Sequence, residues 1–199
     1  RAMQLKGGAG YMRDEPYEKI LRDIRIFPIF EGANDVMRAF IALSGIKPVG
    51  EKLSEVGDLR LGDPIRTIGV LVDYVSDRIA RQVSPEKISL VHPALSDHAD
   101  AVSGQVSALL GATEKLLRTH RREIIERQFQ QRRLCDVVSD IYAQIAVLSR
   151  VTQIFEEHGV EPSGQERYIA DTFCTRAATR VRWTLDTIDD NDDERMSAI

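Results

Sequence analysis

The sequence predicts an all-α fold, on three observations. Apolar residues recur with a period near 3.6 along most of the chain, the interruptions fall at proline, glycine and serine clusters, and no stretch has the pattern of a strand. With 199 residues and 43% hydrophobic content, the chain has enough apolar material for a sizeable core.

The elements follow in order. A glycine-rich turn, Gly7, Gly8 and Gly10, comes first. Pro16 then opens a segment with helical apolar spacing through Ile20, Ile24 and Phe27. Phe30-Glu31-Gly32 interrupts it, and Asn34 or Asp35 can cap a second helix carrying Val36, Met37, Phe40, Ile41 and Leu43. From Gly45 to Pro64 the composition is that of a linker, with Pro48, Gly50, Gly57, Gly62 and Asp63-Pro64 among several charges. Four apolar stripes come after it. They are Ile65, Ile68, Val72, Val75, Ile79 and Val83; Val102, Val106, Leu109, Leu110, Leu117 and Ile124; Leu134, Val138, Ile141, Ile145, Leu148 and Phe155; and Ile169, Phe173, Ala177, Val181, Leu185 and Ile188. Four amphipathic helices imply a bundle, with breaks expected at Ser84-Pro85, at His92-Pro93, and from Gly159 to Gly164 around Pro162. The chain thus divides into residues 1–46, a linker over 47–63 and a helical domain over 64–199.

Composition excludes several classes of function. A net charge of -4 and a pI near 5.6 give no pull toward nucleic acid. The four histidines stand at no metal-ligand spacing to each other or to cysteine, so no metal is expected. There is no apolar run of roughly 18 residues and no signal-peptide pattern, and the absence of an initiator methionine before Arg1 reads as a fragment. Cys135 and Cys174 sit within helical apolar patterns, as buried thiols of a reducing compartment do. The basic stretch from Arg118 to Arg133 is interleaved with Glu114, Glu123, Glu126 and Asp136, which favours an ion-pair network over a phosphate surface. The acidic run from Asp186 to Glu194 reads as an exposed helix end. The stretch from Pro64 to Val83, apolar on one side and carrying Arg66, Arg78 and Arg81, is a candidate for a membrane surface, a partner or the bundle core.

Glu31 is the residue with the clearest chemical potential. It stands at a helix-to-helix corner between two aromatic-rich apolar runs. Withdrawing a carboxylate from water strengthens it as a base, while the dipole of the next helix acts in the opposite sense. A general base is one reading; a glutamate that only complements the helix dipole is the other.

Three motifs at set spacing carry a resemblance: Gln4-Leu5-Lys6-Gly7-Gly8-Ala9-Gly10-Tyr11, Pro16-Tyr17-Glu18-Lys19-Ile20-Leu21-Arg22-Asp23, and Phe30-Glu31-Gly32. Together they make the first 46 residues resemble the C-terminal half of the acyl-CoA dehydrogenase catalytic module. Leu90-Val91-His92-Pro93, Gln131-Arg132-Arg133-Leu134, Ala146-Val147-Leu148-Ser149-Arg150 and Asp171-Thr172-Phe173-Cys174 resemble the extra C-terminal domain of its very-long-chain branch, which a complex I assembly paralogue shares. The resemblance implies the end of the family's helical domain followed by an additional helical bundle.

It also implies a chemistry. In the family a glutamate takes the α-proton of an acyl-CoA while hydride passes from the β-carbon to FAD, and Glu31 matches that base. Gly32 is implied to admit the thioester, and Ala33, Asn34 and Asp35 to lie against the flavin. Gln4, Gly7 and Gly8 match the loop that reaches the diphosphate end of FAD in a neighbouring subunit. Ala33 departs from the family's threonine and removes a hydroxyl. Arg22 and Asp23 match a structural pair. Further implications are an acyl-CoA substrate, electron-transfer flavoprotein as acceptor, a homodimer, peripheral membrane contact, and an intracellular setting in bacterial cytoplasm or at the mitochondrial matrix and inner-membrane face. Two alternatives stand beside this one: a non-catalytic dimerisation, membrane-binding or assembly module, and an acyl-CoA oxidase.

Overall fold

Among the described residues, seven α-helices and two short 3-10 turns account for the regular structure, with no strand. The structure, a computed structural model, describes residues 1–57, 88, 90–159, 164–193 and 195, with side chains described to Glu51 in the first span. The helices are α1 (Ala2–Leu5), α2 (Gly8–Tyr11), α3 (Tyr17–Arg25), α4 (Asn34–Gly57), α5 (Ser96–His120), α6 (Gln128–His158) and α7 (Gln165–Asp186). The predicted stripe from Ile65 to Val83 and the break at Ser84-Pro85 lie outside the described residues.

Helices α5, α6 and α7 pack as a bundle, and α4 joins them. One core gathers Leu95, Val102, Val137, Ile141, Leu148, Val151, Phe155, Ala170, Cys174 and Val181. A second, at the end of the bundle where α5 turns into α6, holds Ala42 and Ile46 of α4 with Leu116, Ile124, Leu134 and Ile188. Each fully buried Leu or Val contributes about 1.5–3 kcal/mol relative to an exposed one.

The all-α expectation holds, but the faces shift. On α6 a buried seam runs through Leu134, Val137, Ile141, Gln144, Leu148, Val151 and Phe155 in alternating steps of three and four that suit bundle packing, with Gln130, Gln131, Cys135 and Thr152 buried beside it. Val138 and Ile145, expected in the core, are exposed. So are Val106 and Ile169, while Ala99, Ala170 and Cys174 are buried in their helices. Polar residues take part: Gln105 and Gln144 exchange two amide hydrogen bonds at 3.2 and 2.7 Å, and buried Gln131 donates to the carbonyls of Ile124 and Ile125 at 2.8 Å each.

The expected breaks at His92-Pro93 and Gly159 are present. His92 Nδ1 accepts from the Ala94 N–H at 3.2 Å to open a 3-10 turn over Pro93–Leu95, and the His92 N–H donates to Thr152 Oγ1 at 3.0 Å. Gly159 ends α6 at φ +80°. A further break was not expected. α5 stops at His120, and Arg121 adopts φ +50° before the 3-10 turn Arg121–Ile125, so Ile124 belongs to a separate element.

The stretch read as a linker is helical from Lys47 to Gly57, where α4 runs through Pro48, and residues 58–63 lie outside the described residues. Proline removes the N–H that would bond the Ser44 carbonyl, but Ser44 is exposed and water can replace that donor, while Ala42 and Ile46 hold the helix by packing. The acidic tail is not a free helix end. Asp193 is 5% exposed and pairs with Arg133, and Asp189 pairs with His120 at 2.9 Å. The basic stretch does form ion pairs, Arg127 with Glu123 at 3.8 Å and Arg132 with Asp136 at 3.9 Å.

Candidate active site

Helix α3 ends at Arg25 and the chain turns through Ile26 to Ala33 before α4 begins. The Ile29 N–H donates to the Ile26 carbonyl at 2.9 Å, the Phe30 N–H to the same carbonyl at 3.2 Å, and the Asn34 N–H to the Pro28 carbonyl at 3.1 Å, which closes the corner. Two consecutive residues then lie in the left-handed region, Glu31 at φ +54° and Gly32 at φ +111°. For a residue with a β-carbon this costs roughly 1–2 kcal/mol, and it persists only where the surroundings fix it. That φ favours glycine at position 32, and a β-carbon there would also displace the flexible Met37 side chain, lying 2.8 Å from its Sδ.

The Ala33 carbonyl accepts from the Met37 N–H at 2.9 Å, so Ala33 holds the cap position of α4. Asn34 and Asp35, expected as caps, are instead its first two residues. Asp35 is exposed and pairs with Arg38 at 3.5 Å.

The expected burial of Glu31 is not supplied among the described residues. Glu31 is exposed, and the aromatic rings beside it, Phe27 and Phe30, stack on each other with centroids 6.0 Å apart while remaining 60% and 43% exposed. Ile20, Leu21 and Ile24 on α3, and Val36 and Phe40 on α4, are also open. The corner is thus surrounded by apolar side chains that lack partners among the described residues.

Gln4, Gly7 and Gly8 form a second group, at the other end of α3. Gly7, at φ +60°, separates α1 from α2, and a β-carbon on Gly7 or Gly8 would meet no atom within 4 Å. Lys6 ties this turn to α3, lying 5.9 Å over the Tyr17 ring and 3.6 Å from Glu15. Arg22 and Asp23 do not pair with each other. Each bonds one turn back along α3, Arg22 to Glu18 at 2.8 Å and Asp23 to Lys19 at 2.5 Å.

Sequence reasoning gave no role to Arg38, which links the start of α4 to Asp136 on α6 at 3.3 Å. Its sequence signal was a charge set among the apolar positions of the predicted helix, between Met37 and Phe40. Cavities elsewhere among the described residues include one of about 1050 Å³ along α7 beside Tyr168, Phe173 and Arg176, and one of about 580 Å³ between α5 and α7 beside Gly104, Gln105 and Cys174. Burial pushes the Cys174 thiol up to about 11, and the nearby Asp171 carboxylate adds to the effect; Cys135 is raised by burial as well. Among the described residues no three His, Cys, Asp or Glu cluster as metal ligands, and no helix is long and apolar enough to cross a membrane.

Residues 1–45 match the family described as acyl-CoA dehydrogenase, C-terminal domain, and residues 93–199, more than half of the chain, match ACAD9/ACADV, C-terminal domain. The chain belongs to the acyl-CoA dehydrogenase family, in its ACAD9/ACADV branch. It is 35% identical over 193 residues to the mitochondrial very long-chain specific acyl-CoA dehydrogenase of Rattus norvegicus, covering 95% of this chain and 29% of that protein. The Homo sapiens counterpart is 36% identical over 184 residues, covering 90% of this chain and 28% of the relative. The chain therefore spans less than a third of the length of these relatives. A crystal structure of acyl-CoA dehydrogenase complexed with FAD from Bacillus anthracis shares the fold, with a TM-score of 0.65 at 20% identity over 98% of this chain and 31% of that one.

Proposed function

We propose that the chain is the C-terminal part of an FAD-dependent acyl-CoA dehydrogenase that oxidises long-chain acyl-CoA to trans-2-enoyl-CoA in fatty-acid β-oxidation, with Glu31 as the base. The observation that carries this is the left-handed Glu31-Gly32 pair closing the α3–α4 corner. Strain of this kind at an exposed carboxylate serves to aim it. The open apolar surface around it, Phe27, Phe30, Val36 and Phe40, suits burial against the remaining length of a dehydrogenase. That burial would withdraw Glu31 from water and strengthen it as a base.

The Glu31 carboxylate takes the α-proton of the acyl thioester and becomes the neutral acid. Its backbone N–H, which the corner's hydrogen bonds leave free among the described residues, can donate to the thioester oxygen as negative charge develops there. The residues present fit FAD: Gly7 and Gly8 face open space where backbone can approach phosphate, Gln4 is exposed beside them, and Asn34 and Asp35 offer the exposed first turn of α4. When bound, FAD accepts the β-hydride. Ala33 supplies no hydroxyl there. Gly32 admits the thioester, and electron-transfer flavoprotein, a homodimeric assembly and peripheral membrane contact complete the reading. The mitochondrial names of these relatives favour a mitochondrial setting over a bacterial cytoplasm.

Glu31→Gln in the complete dehydrogenase tests it. The variant should keep its flavin yet lose at least about a hundredfold in the rate at which acyl-CoA bleaches it. Bleaching within a few-fold of wild type would show that another group is the base. A second reading, an interaction module, is favoured by Val138, Tyr142 and Ile145, exposed on the outside of α6.

A further inference from the structure

Few contacts hold the start of α4, although it carries the corner. Of residues 34–41 only Arg38 and Ala39 are not exposed, and the helix reaches the bundle core first at Ala42, 4% exposed, and then at Ile46, 6% exposed. Among the described residues, one polar tie to the bundle stands ahead of those anchors. Arg38 Nε lies 3.3 Å from Asp136 Oδ1 on α6, while Arg38 Nη1 lies 3.5 Å from Asp35 Oδ1 in the first turn of α4. Arg132, one turn before Asp136, lies 3.9 Å from its other carboxylate oxygen. The row Asp35, Arg38, Asp136, Arg132 alternates in sign from the corner to the bundle.

We propose that Arg38 is a positioning residue for the Glu31 corner, held by Asp136, so that the C-terminal bundle sets the direction of the carboxylate; this rests on the reading of Glu31 as the base. Arg38 touches no reacting atom. Its guanidinium fixes the first turn of α4, and that turn holds Ala33, the neighbour of Gly32, through the Met37 N–H bond to the Ala33 carbonyl. Loss of either partner frees the turn to tilt, and tilts of about 1 Å at a reacting group cost up to roughly a hundredfold in rate.

Arg38→Gln, Asp136→Asn and the double variant test the tie by two readouts. In this chain, hydrogen exchange at the Asn34 and Met37 amides should quicken about threefold in each single variant and no further in the double, with the exchange of α6 and α7 core amides unchanged. In the complete dehydrogenase, the rate constant for flavin reduction per bound flavin should fall about tenfold in each, again without further loss in the double. A purely structural role would lower the amplitude, which counts loaded molecules, and leave the rate constant alone. Wild-type exchange and wild-type rate constants in both single variants, with Glu31→Gln inactive, overturn the role of Arg38 alone. An active Glu31→Gln overturns it together with the assignment of the base.

Discussion

Arg133 grips Asp193 through two hydrogen bonds, Nε to Oδ2 at 3.0 Å and Nη2 to Oδ1 at 2.6 Å, across 60 positions of sequence. The Asp193 side chain is 8% exposed and that of Arg133 21%, so the pair is largely withdrawn from water. With Asp189 on His120, it fastens the segment after α7 over the second core, where Ile188 packs. Asp193→Ala strands the guanidinium and should cost about 2 kcal/mol, less than a fully buried pair because Arg133 keeps some solvent. Urea denaturation measures it, and limited proteolysis should show cleavage near the C-terminal end before the bundle opens.

The reciprocal amides of Gln105 and Gln144 give an asymmetric expectation. Gln144 is 1% exposed, whereas Gln105 is half-buried. Changing the more exposed partner is therefore the more damaging step: Gln105→Leu leaves Oε1 of Gln144 without a donor in the core, at a cost of roughly 2 kcal/mol, while in Gln144→Leu the surviving Gln105 amide can turn to water. The double change to leucine should recover most of the loss. A double-mutant cycle in urea reads the coupling, and equal costs for the two singles would contradict this account.

Cys174 makes stability fall in alkali. Its folded pKa, about 11, lies above the ordinary thiol value of 9.0, so the unfolded chain releases the proton first. Between those values rising pH favours the unfolded state by about 1.4 kcal/mol per unit, whereas below about 9 the group contributes no pH dependence. Cys174→Ala should flatten that part of the profile relative to wild type. Ellman's reagent at pH 8 should find neither Cys135 nor Cys174 in the folded chain and both in urea, since both are buried.

Ala33→Thr supplies a hydroxyl where α4 has no side-chain cap. An oxygen at that position can accept from the free N–H groups of the first turn, worth about 1 kcal/mol. The thermal midpoint should rise accordingly, and Ala33→Gly, which restores no acceptor, should not reproduce the gain.

The helical class and the Glu31 corner were legible because both follow from local signals, the 3.6-residue period and a glycine after a carboxylate between apolar runs. What the sequence hid depended on partners distant in the chain. Val138 and Ile145 look like core by apolarity, but Gln144 displaces them because Gln105 satisfies its amide. Asp189 and Asp193 look like solvent until His120 and Arg133 meet them. Pro48 and Gly50 look like helix breakers, but α4 continues through them, held by the packing of Ala42 and Ile46. The left-handed backbone of Glu31 has no signature in residue type, and its apolar neighbours lack the covering surface that a continuous core would give them.

The membership of Ala42 and Ile46 in a core otherwise built from residues 116 to 188 bears on the order in which this chain matures. Helices α5, α6 and α7 close short loops onto one another and can assemble early, whereas α4 must wait for a surface that lies far downstream. On a ribosome the corner would emerge first and be organised last. The start of α4 therefore gains its full packing only after synthesis has passed Ile188, and a chain stopped before that point would carry the corner without all of its support.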